Sequence, residues 1–204
     1  MIDKTIPYYS LTMYTYLPHQ YPEYCLPNGY EFVFYRPGDE LNWARIECDV
    51  GQFSSLESGL EYFQREFVRD QRLDPQQRML FVKDKNGEYV ATASLWDGKF
   101  LGTLRQRIHW VAVKDKCAGL GIAKAMLSRL MRLYTELGYD DSTIYLVTGT
   151  RNYPAVSIYR KFGFKEYTGP VSLSSKLTDE QFCEQTSTAI SIINEKLTQY
   201  KSKK

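Results

Sequence analysis

The chain has 204 residues, 43% hydrophobic and 25% charged, a balance that fits one globular domain with a sizeable core, or such a domain with an appended element, and excludes a disordered or fibrous protein. The formal net charge is only +2 and the two signs are interspersed, which excludes a nucleic-acid partner for want of a concentrated basic face. The four cysteines, Cys25, Cys48, Cys117 and Cys183, lack CxxC spacing and the histidines are His19 and His109 alone, so no metal site is expected and a reducing compartment is.

The amino terminus MIDKTIPYYS has no apolar signal core and no run is long enough to cross a bilayer, so a cytoplasmic location without a membrane partner is expected. Lys201, Lys203 and Lys204 read as a solvated end. Residues Tyr8 to Tyr35 are crowded with tyrosine and punctuated by Pro18, Pro22, Pro27 and Asn28-Gly29, which predicts extended segments and turns without a helix. Glu31 to Tyr35 alternates as a strand. At Pro37-Gly38-Asp39 the chain turns, and Asp39 is placed to cap a helix through Val50, with Leu41, Ala44, Ile46 and Cys48 at its less polar positions. Leu56, Leu60, Phe63 and Phe67 recur at helical spacing and predict one amphipathic helix from about Ser55 to Arg69. Met79 to Lys83 and Tyr89 to Trp96 are strands joined through Asn86-Gly87, hence antiparallel neighbours, and Asp97-Gly98 opens a loop.

The stretch from Arg107 to Leu127 (RIHWVAVKDKCAGLGIAKAML) organises the rest. Ile108 to Val113 suits a buried strand, Gly119 and Gly121 permit a tight turn, and Ile122 to Leu137 is helical, with Gly138 as its stop. A turn of this kind presents unpaired helix N-terminal amides, a cradle for phosphate or pyrophosphate. Thr143 to Thr148 is a further strand, Asn152 to Phe162 a short helix with Pro154 in its first turn, and Phe164 to Tyr167 another strand. Thr178 to Gln181 has the form of a capping box opening a helix to about Tyr200, its apolar side built from Phe182, Ala189, Ile190, Ile193 and Leu197.

Which phosphate ligand the turn takes is decided by its surroundings. Gly119-Leu120-Gly121-Ile122-Ala123-Lys124 has Lys124 where a dinucleotide fingerprint needs its third glycine, and Thr143 to Thr148 leads into Gly149-Thr150-Arg151 instead of an acid for the ribose. A nucleoside-triphosphate loop is absent.

The order of elements from Gly29 to Tyr167 resembles the GCN5-related N-acetyltransferase (GNAT) family, which binds acetyl coenzyme A. The family's Gln/Arg-x-x-Gly-x-Gly/Ala motif falls on Ala118 to Ala123, where Gly121 and Ala123 match and Ala118 departs. Lys114, Lys116 or Lys124 is a candidate for the missing charge. A second motif, Asn-x-x-Ala-x-x-x-Tyr before a Gly-Phe turn, matches Asn152, Ala155, Tyr159 and Gly163-Phe164. The resemblance implies an α/β (α+β) fold: a mixed, mostly antiparallel sheet flanked by helices, with splayed central strands and here an extra C-terminal helix. Domain boundaries follow: a Tyr/Pro-rich arm over 1–28, the acetyltransferase domain over 29–168, and an extension over 169–204 packed on it.

The same resemblance implies that Val111, Ala112 and Val113 offer backbone to the pantetheine arm and that Ala118, Gly119, Leu120, Gly121, Ile122, Ala123 and Lys124 cradle the pyrophosphate. Asn152, Ala155 and Tyr159 would complete the coenzyme site, with Asn152 on the pantetheine amides and Tyr159 as the acid for the leaving thiolate. The implied reaction is transfer of acetyl from acetyl-CoA to a primary amine, a small molecule, by direct attack in a ternary complex, with no metal. For the base, the two-residue period of a strand sets His109 on one face with Val111 and Val113, and its ordinary pKa suits the task; an ordered water is the alternative. Arg107 stands where the family's common glutamate base would fall, which excludes that mechanism at the site. Trp43, Glu47, Asp49, Phe53 and Tyr62 are candidates for the amine pocket, through charge and cation–π contact, or else ordinary packing residues. The tyrosine-rich arm would line that pocket, cover a sheet edge or build a homodimer. Two other readings stay open: a coenzyme A-binding sensor without activity, and a protein N-acetyltransferase.

Overall fold

The computed structural model describes residues 2–16, 21–69, 73–139, 143–171 and 176–201. Pro18, His19, Lys203 and Lys204 lie outside the described residues. Seven strands form a sheet in the order β2-β3-β4-β5-β6-β1-β7, and the chain divides into two compact units.

The first unit comprises Glu23–Trp96 and Ile108–Tyr139. It holds β2 (Tyr30–Phe34), helices α1 (Glu40–Asp49), α2 (Leu56–Phe63) and the short α3 (Pro75–Arg78), then β3 (Met79–Asp84) and most of β4 (Tyr89–Phe100). The last part of β5 (Thr103–Val113) and α4 (Ile122–Glu136) complete it. β3 pairs antiparallel with β4, as expected from Asn86-Gly87, and on its other side with β2, which the sequence reading did not place. Met79, Leu80, Phe81 and Val82 are all fully buried, so β3 carries apolar residues on both faces and its sequence is a continuous run. On one face Met79 and Phe81 join a core with Tyr35, Trp43, Ala44, Ile46, Phe63, Phe67, Trp96 and Ala112. Each fully buried phenylalanine there contributes about 1.5–3 kcal/mol. Helix α4 buries Ala125, Met126, Leu127, Leu130, Met131 and Tyr134 among others.

The second unit comprises Ile2–Pro22, Asp97–Arg107 and Asp140–Lys204. It contains β1 (Ser10–Tyr16), β6 (Thr143–Gly149), α5 (Tyr153–Lys161), β7 (Lys165–Glu166), α6 (Asp179–Lys201) and the outer hairpin of β4 and β5. β1 lies between β6 and β7, antiparallel to both. Part of the tyrosine-rich arm is therefore an interior strand, with Leu11 and Met13 buried on one face. On the other, Tyr14 stands 6.0 Å from the ring of Phe100, which stacks on Tyr145 at 5.1 Å. Helix α6 opens on the capping box as read: the Thr178 amide donates to Gln181 Oε1 at 3.0 Å and the Gln181 amide to Thr178 Oγ1 at 3.2 Å.

Three local readings are corrected. Asp97-Gly98 is not a loop, because β4 continues to Phe100 and turns at Leu101-Gly102, both at positive φ (52° and 77°). A Cβ on Gly98 would come 2.1 Å from Tyr145 Oη, so this glycine makes room inside a strand. The helix expected over Ser55 to Arg69 is α2 followed by a π-turn at Gln64–Val68, where the Arg69 amide donates to the Gln64 carbonyl. Asp39 does not cap α1 with its side chain. Its carboxylate accepts from the Arg36 amide, Asn42 Nδ2 and Tyr89 Oη at 2.9, 3.2 and 2.6 Å.

Candidate functional site

The glycine-rich turn follows β5 through a single 3-10 turn at Asp115–Cys117. Gly119 and Gly121 both take the left-handed region, at φ +83° and +87°, and a Cβ on either would meet nothing within 4 Å, so conformation is what requires glycine here. Gly121 precedes α4 without a side-chain cap, and the helix ladder opens with the Ala125 amide on the Gly121 carbonyl at 3.1 Å. The amides of Ile122, Ala123 and Lys124 lie ahead of that ladder, pointing along the positive end of a 15-residue helix. Ala118, Gly119 and Leu120 are exposed. Such a turn can accept an anionic group through backbone amides alone.

The lysines beside it are engaged elsewhere. Lys114 and Lys116 both bind Glu88, at 3.0 and 2.5 Å, and these hydrogen bonds, that of Lys116 first, hold the Glu88 carboxyl down at about 2. Lys124 Nζ lies 5.2 Å from the ring centre of Tyr24, a residue whose amide is anchored on Ser128 Oγ of α4.

His109 lies in β5 immediately before an irregularity. Trp110 has φ +49°, a left-handed conformation that costs a bulky residue about 1–2 kcal/mol. The two-residue period breaks there, so His109 does not share a simple face with Val111 and Val113. Trp110 and Ala112 lie with the core under α1 and α2. The His109 ring is nevertheless on that side too, 6.1 Å from Phe67 and 5.6 Å from Trp110. Its carbonyl accepts from Ser94 Oγ, a fully buried hydroxyl, at 3.0 Å. Its Nε2 stands 2.9 Å from Glu66 Oε1 of the π-turn, the two side chains being 16% and 24% exposed.

The residues considered for an amine pocket divide in the same way. Trp43, Phe53, Tyr62 and Trp110 have all six ring pairs within 5.0–6.4 Å, a packed cluster whose rings touch one another. Glu47 is 1% exposed, and burial pushes its carboxyl up to about 8. Among the described residues, its Oε1 has no hydrogen-bond partner, nor have the indole nitrogens of Trp43 and Trp110 or the hydroxyl of Thr92. Asp49 is exposed and accepts the Asp115 amide at 3.2 Å, tying α1 to the start of the glycine turn.

In the second unit, Asn152 precedes α5 without capping it, and Asn152, Ala155 and Tyr159 follow one another at helical spacing. Residues 3–9 hold the approach to this helix. Thr150 Oγ1 donates to the Pro7 carbonyl at 2.6 Å and accepts the Tyr9 amide at 3.0 Å, and Arg151 Nε donates to the Ile6 carbonyl at 3.0 Å. Tyr159 is 7% exposed, and burial raises its phenol to about 12, which keeps it protonated and able to donate. Its carbonyl accepts the Phe162 and Phe164 amides, closing the Gly163 turn at φ +82°.

Sequence reading missed Glu66 and the anchoring of Thr150. Glu66 is 43 residues from His109 and sits between helical positions with no local mark of chemistry. Among the described residues, no group of three or more His, Cys, Asp or Glu could hold a metal and no helix is long and apolar enough to cross a membrane.

A family model described as the acetyltransferase (GNAT) family matches residues 40–164. An N-alpha-acetyltransferase of Sulfurisphaera tokodaii is 35% identical over 94 residues, 42% of this chain and 56% of that protein. N-acetyltransferase family 8 member 2 of Rattus norvegicus is 33% identical over 78 residues, 37% of this chain and 33% of that protein. The chain thus matches about half or less of the length of these relatives. Among solved structures, a GCN5-related N-acetyltransferase from Sphaerobacter thermophilus superposes with a TM-score of 0.60 at 24% identity, covering 78% of this chain and 49% of that one.

Proposed function

The chain belongs to the acetyltransferase (GNAT) family, and from that premise we propose that it is an acetyl-CoA-dependent N-acetyltransferase acting on the primary amine of a small molecule, by direct attack in a ternary complex. The observation that carries this reading is the turn between β5 and α4, where two left-handed glycines leave helix amides ahead of the ladder. That arrangement fits a pyrophosphate held by backbone, with Ala118 contributing no side chain. Acetyl-CoA would supply the activated acyl group as a thioester. Val111, Ala112 and Val113 would offer backbone to its pantetheine arm, and Asn152 and Ala155 would line it. His109 would take the proton from the attacking amine, and the Tyr159 phenol would give one to the departing sulfur.

A second reading, acetylation of a peptide α-amine, is favoured by the N-alpha-acetyltransferase relative. The test is a panel of small primary amines and short peptides with free amino termini, scored by thiol release from acetyl-CoA, with coenzyme affinity measured separately. Thiol release with a small amine supports the proposal, and release with peptides alone selects the second reading. Tight coenzyme binding without release for any acceptor would overturn both in favour of a binding protein.

A further inference from the structure

Glu66 reaches His109 because the helix that carries it is not regular. Phe63 and Phe67 are four residues apart and both fully buried, which is ordinary α-helical packing. Between them the chain widens into the π-turn, closed by the Arg69 amide on the Gln64 carbonyl at 2.9 Å. Such one-turn insertions displace side chains from the normal helical phase. Here Glu66, beside buried Phe67, is set 2.9 Å from His109 Nε2. The imidazole is held from several sides at once: Ser94 Oγ takes the backbone carbonyl, Phe67 and Trp110 flank the ring, and the left-handed turn at Trp110 fixes where the strand presents it. Two departures from regular structure, one in a helix and one in a strand, thus meet at one histidine–carboxylate pair.

We propose that Glu66 is a positioning residue for His109: it holds the proton on Nε2 and so makes Nδ1 the nitrogen that takes a proton from the acceptor amine. This rests on the reading of His109 as the base. A carboxylate on one ring nitrogen selects the tautomer and also favours the imidazolium that forms once the amine proton arrives. No proton need leave the pair during attack: Nδ1 gains the amine proton, and Nε2 keeps its own. The other charged groups on these elements and those beside them are Arg65 within the π-turn and Arg69 just after it, Glu57 and Glu61 on α2, buried Glu47 on α1, Asp97 and Lys99 on β4, and Arg105 and Arg107 on β5. Arg65 is turned onto the Tyr62 ring, 4.7 Å from its centre.

The chain has only two histidines, so imidazole titration by nitrogen-detected NMR can be followed in the whole protein, with His109→Gln assigning the signals. The expected result for Glu66→Gln is a His109 titration midpoint lower by about one pH unit, a tenfold loss of proton affinity, with loss of the single Nε2-protonated tautomer. Glu66→Asp should recover part of the shift. The acidic limb of kcat/KM for thiol release from acetyl-CoA, measured with the best amine of the panel, should move to lower pH with the titration. An unmoved titration and tautomer in Glu66→Gln would overturn the pairing, and a moved titration beneath an unmoved rate limb would overturn the positioning role. If His109→Gln keeps both the limb and the rate, the assignment of His109 as base fails instead. Even then, the NMR result would still report on the pair itself.

Discussion

Replacing Glu47 with glutamine exchanges a carboxyl for an uncharged group of nearly the same shape in the core between α1, α2 and the sheet. The carboxyl is 1% exposed, its Oε1 is unpartnered, and burial raises it to about 8 from the 4.5 expected of a free side chain. Its folded pKa is therefore above the unfolded one, and the sign follows. Below the unfolded value both states are protonated and the stability is fully present. Between the two values the unfolded chain has lost the proton and the folded chain keeps it, so stability falls by about 1.4 kcal/mol for each pH unit. It flattens only as the folded carboxyl itself ionises. From about pH 5 to about pH 8 the wild-type protein should lose roughly 3.5 kcal/mol that Glu47→Gln does not lose. Urea unfolding at several pH values measures this directly, because Trp43, Trp96 and Trp110 all lie in the same core cluster and report its exposure by fluorescence. The two proteins should be of similar stability at the acidic end and diverge with rising pH, the variant becoming the more stable. Parallel stability curves across the range would refute the argument that this carboxyl is held neutral by burial.

If Tyr159 is the proposed proton donor, Tyr159→Phe should leave coenzyme affinity within about twofold and lower kcat about 100-fold; unchanged turnover would remove the role. Gly121→Ala should fold, because its Cβ meets nothing, but the left-handed backbone at φ +87° costs alanine about 1 kcal/mol, and coenzyme affinity measured by titration should fall by roughly tenfold as the turn relaxes. Gly149→Ala acts on the other unit. Its Cβ would come 2.5 Å from the Tyr8 ring and 2.9 Å from the Tyr9 carbonyl, so a loss of about 2 kcal/mol is expected by thermal or urea unfolding, and wild-type stability would contradict the close approach.

Much of this protein is legible without coordinates wherever the physics is short-range. Helix periodicity located α4 and α6, the capping box between Thr178 and Gln181 is satisfied as written, and Gly119 and Gly121, read as permitting a tight turn, both take left-handed backbone. Those features depend on hydrogen bonds and sterics within a few residues, so the amino-acid order determines them. Local signals misled where a distant group had the stronger claim. Gly98 looked like a turn residue and is a gap for Tyr145, and Asp39 looked like a cap and is drawn to Tyr89, 50 residues away. Lys114 and Lys116, two of the three candidates for the missing charge, both pair with Glu88, a partner the local reading did not contain.

The sequence alone, then, determined the family motifs, the glycine turn ahead of α4 and the residue types available for acid–base chemistry. Only tertiary packing decided which of those residues have partners. The pairing of Glu66 with His109, the left-handed Trp110 that breaks the strand's period, and the anchoring of Thr150 by residues more than 140 positions earlier all arise from contacts between segments remote in the chain. No window of local sequence contains both halves of such a contact. The geometry of the Glu66–His109 pair exists only once the core around Trp43, Phe63 and Phe67 has closed.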